Sequence, residues 1–153
     1  MNHTSWPVYA GVMLLTGIGI PIMAAANATL GARIGSAQAA SVVVFALGLM
    51  VTLIATVITG WPSASKWTAA PWPFYLGGLA MAFYILSITY IAPRFGVGNA
   101  VFFVLLGQIL IATSIDQFGL FGAPKADISP ARLAGVVLML VGVFLARKPL
   151  IGG

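Results

Sequence analysis

The chain has 153 residues, of which 61% are hydrophobic and only 6% are charged, and its net charge is +5. Because average chains contain about 25% charged residues, this composition excludes an ordinary soluble domain and predicts an all-α integral membrane protein. The seven basic residues stand singly or in pairs near the ends of apolar runs. That placement is typical of topology signals and argues against a nucleic-acid-binding surface.

Five apolar runs follow one another along the chain and predict five transmembrane helices. A bilayer span needs about 20 mainly apolar residues, and the first four runs meet this requirement. The fifth meets it only if its helix begins near Pro130, where Ser129 can act as the N-cap. Residues 1–153 are therefore predicted to form a single five-span membrane domain. The predicted spans are residues 8–26, 39–59, 74–92, 97–115 and 130–146.

The first span contains polar residues that a simple membrane anchor does not need. Pro21 removes a backbone hydrogen-bond donor and predicts a helix bend. Such a bend is tolerated at membrane depth where protein or a water-filled cavity covers it. Asn27 follows six residues later, and its amide either bonds to a neighbouring helix or contacts a substrate. We favour the interhelical bond and keep Asn27 among the candidate substrate contacts.

The second, third and fourth spans add further candidate residues. Small and polar side chains recur there at helical spacing, and they either pack helix against helix or face a cavity. The hydroxyl of Tyr84 in the middle of a span needs a partner. Gln108 offers two donors and an acceptor beside Gly107, which permits close approach. The predicted substrate contacts are Asn27, Phe45, Tyr84, Ser87 and Gln108.

The basic residues are almost evenly divided between the two membrane faces that five spans would create. A clear excess of Lys and Arg normally marks the cytoplasmic face, whereas three here oppose four. Either a weak bias still fixes one orientation, with the C-terminus inside, or copies insert in both directions. Two oppositely inserted copies would form a ten-span assembly with inverted symmetry, as many secondary transporters do within one chain. The N-terminal face has Lys66, Lys125 and Arg132, and the other face has Arg33, Arg94, Arg147 and Lys148.

Asp116 is one of only two acidic residues and ends the fourth predicted span. It is predicted either to form an interfacial ion pair, with Arg132 or Lys125, or to bind a proton or cation during coupling. In an antiparallel pair, Asp116 of one copy would lie level with Arg33 and Arg94 of the other. The sequence has no cysteine and offers no metal-ligand cluster, nucleophile set or phosphate loop. We therefore expect no catalytic residues, no metal and no cofactor, and the protein is not expected to be an enzyme.

An ordered set of motifs resembles one known family along the whole chain. The motifs are PIMAAANATLGARIGS, SVVVFALG, APRFG, LLGQ, DQFGLFG and PARLAG, and together they resemble the YdcZ-like family of the drug/metabolite transporter superfamily. The resemblance implies a half-unit of a ten-helix inverted-repeat fold in the bacterial inner membrane. Where the family often has glutamine and histidine, this chain has Ala24 and Gln117. The matching positions are Pro21, Asn27, Leu30, Gly31, Phe45, Gly48, Gly107, Gln108, Asp116, Phe118 and Gly119.

The sequence and the resemblance together predict a small-molecule secondary transporter that works by alternating access as an antiparallel, dual-topology homodimer in the lipid bilayer. Its amide and aromatic side chains and its few acidic residues indicate a small neutral or anionic metabolite as substrate. The four-span small multidrug resistance relatives exchange cations and protons on a membrane glutamate, which this chain lacks. Two alternatives remain open: a dual-topology passive channel for a small ion, and a non-transporting subunit of a larger membrane complex.

Overall fold

The computed structural model describes residues 6–126 and 129–146, apart from the side chains of Arg132, Val143 and Ala146. All regular structure in this part of the chain is helical. The chain divides into two compact units, Met1–Arg94 and Phe95–Gly153. The helices are α1 (Trp6–Ile34), α2 (Ala37–Thr59), α3 (Ala64–Ala69), α4 (Gly77–Phe95), α5 (Val97–Phe118) and α6 (Pro130–Ala146), with 3₁₀ turns at Trp72–Leu76 and Leu120–Gly122.

Four of the described helical segments are long and apolar enough to cross a bilayer. They correspond to the first four predicted spans, so the all-helical membrane fold is confirmed at this level. Helix α6 has 17 residues, and its apolar part is the shorter stretch Leu133–Gly142. The fifth crossing therefore stays a prediction. The four membrane-length segments are Trp6–Ile34, Ala37–Thr59, Trp72–Phe95 and Val97–Phe118.

In the first unit, α1 and α2 form a helical hairpin with a two-residue connection. Gly35 has a φ of 73°, a left-handed conformation that glycine adopts without a steric penalty. The N–H of Ser36 then donates to the carbonyl of Gly31 at 3.0 Å, which closes the end of α1. The Ser36 hydroxyl caps α2 by accepting from the N–H of Ala39 at 3.1 Å. So short a connection makes α1 and α2 antiparallel neighbours.

The connection between α2 and α4 is an aromatic segment that contains α3 and the 3₁₀ turn Trp72–Leu76. Its three tryptophans, Trp61, Trp67 and Trp72, are all exposed. The rings of Trp67 and Tyr75 stack with their centroids 6.3 Å apart, and the Tyr75 hydroxyl donates to the Trp67 carbonyl. The sequence predicts an interfacial loop here, and the structure adds the short helix α3 to it. Tryptophan and tyrosine are enriched where proteins meet the membrane surface.

In the second unit, α5 and α6 pack against each other. Helix α5 follows Gly96, which has a φ of 89°, and ends at Gly119, which has a φ of 61°. The rings of Phe95 and Phe103 lie 5.7 Å apart at its start. Helix α6 begins at Pro130, as the sequence predicts.

Candidate functional site

The buried residues of the first unit gather at one end of its helices, where α1 ends, α2 begins and α4 ends. We call this place the helix junction. Most of its residues are small, which lets the helix backbones approach closely in a membrane. On α1 they recur every three or four residues and so form a single stripe. The helix junction consists of Ala24, Asn27, Ala28 and Gly31 of α1, Ala40 and Ser41 of α2, and Ile85, Ile88, Thr89 and Ala92 of α4.

Asn27 and Thr89 join α1 to α4 through a buried hydrogen bond. Each residue is only 2% exposed, and the Asn27 side-chain amide donates to the Thr89 hydroxyl oxygen at 2.5 Å. The Thr89 hydroxyl donates its one hydrogen to the carbonyl of Ile85 at 2.6 Å, so it can only accept from Asn27. This fixes the orientation of the amide and leaves the Asn27 Oδ1 buried with no hydrogen-bond partner among the described residues.

Gly31 is the point of closest approach at the helix junction. A Cβ added at Gly31 would lie 3.3 Å from the Cα of Ala37 and 3.3 Å from the Cγ2 of Thr89. The first of these atoms belongs to the backbone of α2, which cannot move independently of its helix. Packing therefore favours glycine at this position, since a methyl group would require α2 and the Thr89 side chain to shift by a few tenths of an ångström.

A cavity of about 460 Å³ opens beside the helix junction. Arg94 is the only charged residue among those that line it. Its guanidinium lies 3.9 Å from the centroid of the Tyr90 ring, a cation–π geometry, and it also donates a hydrogen bond to the Tyr90 carbonyl. The cavity is lined by Gly31, Ala32, Gly35, Ser36, Ala37, Gln38, Thr89, Tyr90, Pro93 and Arg94.

The comparison with protein families is decisive for the identity of the chain. Residues 8–145 match the model of the family described as "Putative inner membrane exporter, YdcZ". The chain belongs to the YdcZ family. No curated protein and no solved structure gives a significant match. The resemblance seen in the motifs is thus confirmed. Four of the described helical segments have membrane length, so this YdcZ-family chain is a multi-pass protein of the inner membrane. It is also a member of a transporter family.

The other predicted substrate contacts of this YdcZ protein lie in both units. Tyr84 and Ser87 are half-buried on α4, and the Tyr84 hydroxyl is buried with no hydrogen-bond partner among the described residues. Phe45 is 37% exposed on α2. Gln108 is exposed on α5 in the second unit. Of the predicted set, Asn27 is the residue for which the structure supplies a partner, and that partner is a neighbouring helix.

The charged candidates of the YdcZ protein lie near the ends of helices. Arg33 is exposed in the last turn of α1, and Arg94 is exposed in the last turn of α4. Asp116 is half-buried near the end of α5, and its carbonyl accepts from the N–H of Ala126 at 2.9 Å. The side chain of Arg132 lies outside the described residues, so the predicted ion pair with Asp116 stays a prediction. Pro21 lies inside α1, which continues through it without interruption.

Sequence reasoning missed Thr89 and the cavity residues Gln38 and Tyr90. Thr89 carried a weak signal, because a polar residue within an apolar span often bonds to another helix. A threonine in a helix can also satisfy its own hydroxyl on the carbonyl four residues earlier, so its position alone does not require a second partner. Gln38 and Tyr90 are far apart in sequence, and only the packing of α4 against the α1–α2 hairpin brings them to one cavity.

Proposed function

We propose that this YdcZ-family protein exports a small neutral or anionic molecule by alternating access, as an antiparallel homodimer whose copies insert in both directions. The near-even division of basic residues, three against four, carries the proposal, because it gives neither orientation a clear advantage. With five crossings, opposite insertion of two identical chains produces a ten-helix arrangement with inverted symmetry. Many secondary transporters have this symmetry within one chain.

Large uncovered apolar faces support pairing within the membrane. In the most hydrophobic 18-residue window of α2, none of the residues is buried within the chain. Lipid can cover such a face, and so can a second copy. Helices associate in lipid through small residues and interhelical hydrogen bonds, and α2 offers Gly48 on an open surface. A second copy would therefore find a packing surface there without displacing any contact within the chain.

Unpartnered polar atoms support a ligand path. The Asn27 Oδ1 and the Tyr84 hydroxyl are buried without a hydrogen-bond partner among the described residues. A buried polar atom without a partner costs about 1–3 kcal/mol, and a substrate or a second copy could remove that cost. We propose that Tyr84, Gln108, Phe45 and Ser87 contact the substrate. Asn27 holds α1 to α4 through its amide and offers its Oδ1 to the ligand path.

The proposal includes no chemical conversion of the transported molecule, so we infer that the protein is not an enzyme. Asp116 with Arg132 in the same copy, or with Arg33 and Arg94 of the other copy, remains the proposed charged pair. Because Asp116 of one copy would lie level with Arg33 and Arg94 of the other only when the copies are antiparallel, this charge contact would favour that arrangement.

Export can be tested in cells that produce the wild-type chain, Gln108→Ala or Tyr84→Phe, with Tyr9→Phe as the matched control on the exposed surface of α1. Mass spectrometry of the medium should show one or a few neutral or anionic metabolites that accumulate with the wild-type chain and with Tyr9→Phe. The two site variants should reduce that accumulation by about tenfold, since a lost hydrogen bond to a charged group is worth about 1.5–3 kcal/mol. Unchanged accumulation in both site variants would contradict the proposed contacts.

Purified protein in liposomes separates the proposal from its two alternatives. A transporter exchanges the metabolite identified in the medium against the same metabolite inside the vesicle, which gives counterflow. A passive channel carries current without counterflow, and a non-transporting subunit is inactive alone. Counterflow by the purified chain supports the proposal, and either of the other two outcomes contradicts it.

A further inference from the structure

The cavity beside the helix junction lies at the membrane surface. It is formed where α1 ends at Ile34, where α2 begins at Ala37, and in the last turn of α4, before Phe95. All three helices belong to segments of membrane length, so their ends lie near the lipid headgroups. The volume of the cavity, about 460 Å³, lies within the range of about 300–1,000 Å³ that is typical of small-ligand pockets.

The electrostatic character of the cavity is positive. Its lining includes the Arg94 guanidinium and no carboxylate. The amide of Gln38 adds further donors. The positive dipole end of α2 is offset by the negative dipole ends of α1 and α4, so the charge of the cavity comes from Arg94. The hydroxyls of Ser36 and Thr89 are already engaged in the α2 cap and in the bonds of Thr89 to Ile85 and Asn27. The donors left for a ligand therefore come mainly from Arg94 and Gln38.

Arg94 is held in place by an aromatic ring and a backbone carbonyl. Its guanidinium lies over the Tyr90 ring at 3.9 Å, and one of its N–H groups donates to the Tyr90 carbonyl. A guanidinium has five N–H donors in a planar fork, so most of them remain for a ligand. Because the ring and the carbonyl already order the side chain, binding an anion would cost little additional side-chain entropy.

We infer that this cavity binds an anionic phosphate group, held by the Arg94 guanidinium and the Gln38 amide. Two oxygens of a phosphate match the planar fork of an arginine. The ligand source is either the headgroup of an anionic phospholipid or a soluble phosphate ester. Basic pockets between membrane helices are known to take lipid headgroups. The inference concerns binding alone, so it stands or fails independently of the proposed export.

Binding of phosphatidylglycerol to the purified full-length protein in neutral detergent, measured by native mass spectrometry, tests the inference. The wild-type chain should bind phosphatidylglycerol more tightly than the zwitterionic phosphatidylcholine. Arg94→Gln should weaken that binding by about tenfold or more, as expected for a lost charge-assisted hydrogen bond. Lys66→Gln is the matched control, because it removes one positive charge from the exposed helix α3, outside the cavity lining. It should change the affinity by less than about twofold at a fixed salt concentration.

Arg94→Lys provides a second variant in case Arg94→Gln does not fold. It keeps the charge but loses the planar fork, and its affinity should fall between those of the wild-type chain and Arg94→Gln. Equal binding by the wild-type chain and both Arg94 variants would overturn the inference. An equal loss in Lys66→Gln would also overturn the inference, because the loss would then reflect the total charge of the protein and not the cavity.

Competition by soluble anions identifies the source of the phosphate group. Inorganic phosphate and glycerol 3-phosphate are added to the complex of the wild-type chain with phosphatidylglycerol. Displacement by either one supports the site and assigns it to a soluble phosphate ester. Retention of the lipid supports the site and assigns it to a phospholipid headgroup, because the acyl chains then contribute to the affinity.

Discussion

Asn27 shows how one polar residue can organise a membrane helix junction. Its amide donates to Thr89, and Thr89 in turn donates to Ile85, so two helices are joined by a directed chain of hydrogen bonds. In lipid the apolar surfaces of helices gain little from leaving their surroundings, so such bonds and close packing determine which helices meet. The same residue leaves its Oδ1 unpartnered within the described part of the chain, so a structural role and a ligand-binding role are compatible here.

A double-mutant cycle on Asn27 and Thr89 tests this bond. Asn27→Ala and Thr89→Val each remove one partner, and the double variant removes both. We expect a coupling energy of about 0.6–1.7 kcal/mol, the range measured for hydrogen bonds between membrane helices. The measurement is the free energy of unfolding of the purified protein in mixed detergent, and Thr52→Val serves as control because Thr52 bonds within its own helix. Strict additivity of the two single variants would contradict the bond.

The sequence predicted the role of Asn27 better than it predicted the partner. A side-chain amide within an apolar run indicates an interhelical bond, and this interpretation of Asn27 agrees with the structure. The identity of Thr89 depends on how α4 lies against α1, which is a property of three-dimensional packing. The first span was predicted over residues 8–26, and the helix that contains it, α1, continues to Ile34.

At the scale of the helices, close approach at Gly31 is the feature that brings α1, α2 and α4 together. Gly31→Ala would place a methyl group 3.3 Å from the Ala37 backbone and the Thr89 methyl. We expect it to lower the free energy of unfolding by about 1–3 kcal/mol, as overpacked core substitutions do. Gly11→Ala is the matched control on the same helix, because a Cβ there meets no atom within 4 Å. Equal stability of the two variants would show that the helix junction is looser than described.

Substitution of Pro21 provides a second test at the scale of the helices. Within α1 it leaves the carbonyl of Gly17 without its helical partner, which favours a bend. Pro21→Ala should restore that bond and raise stability against detergent unfolding, while it lowers the export rate if bending is part of alternating access. Pro7→Ala is the control, since a proline in the first turn of a helix breaks no internal hydrogen bond. Export by Pro21→Ala at the wild-type rate would remove the bend from the mechanism.

The number and length of the helices were largely predictable from hydropathy, because apolar runs of span length have few alternatives in a protein of this composition. Connections were less predictable. The stretch from Gly60 to Pro73 was predicted as an interfacial loop, and within it the structure has the short helix α3, whose Trp67 stacks on Tyr75. Helix α6 agrees with its predicted bounds of 130–146, yet its 17 residues lie at the lower limit of about 17–25 for a crossing.

At the scale of the whole molecule, the orientation of each copy in the membrane decides how two copies can pair. The chain has few charged residues, and its basic residues are divided almost evenly between the predicted faces. Family membership places the protein in the inner membrane and leaves its orientation open. If copies insert both ways, one gene product can supply both halves of an inverted pair, and the Asp116 of one copy can meet Arg33 and Arg94 of the other.

The most direct test of this central claim is the orientation of single copies in intact cells. The chain has no cysteine, so Ser65→Cys introduces one reporter on the exposed surface of α3. An impermeant maleimide should label about half of the copies in intact cells and all of them after permeabilisation. The reason is that near-equal numbers of Lys and Arg on the two predicted faces give near-equal insertion in both orientations. Labelling of all copies, or of none, before permeabilisation would contradict dual topology and with it the self-sufficient antiparallel homodimer.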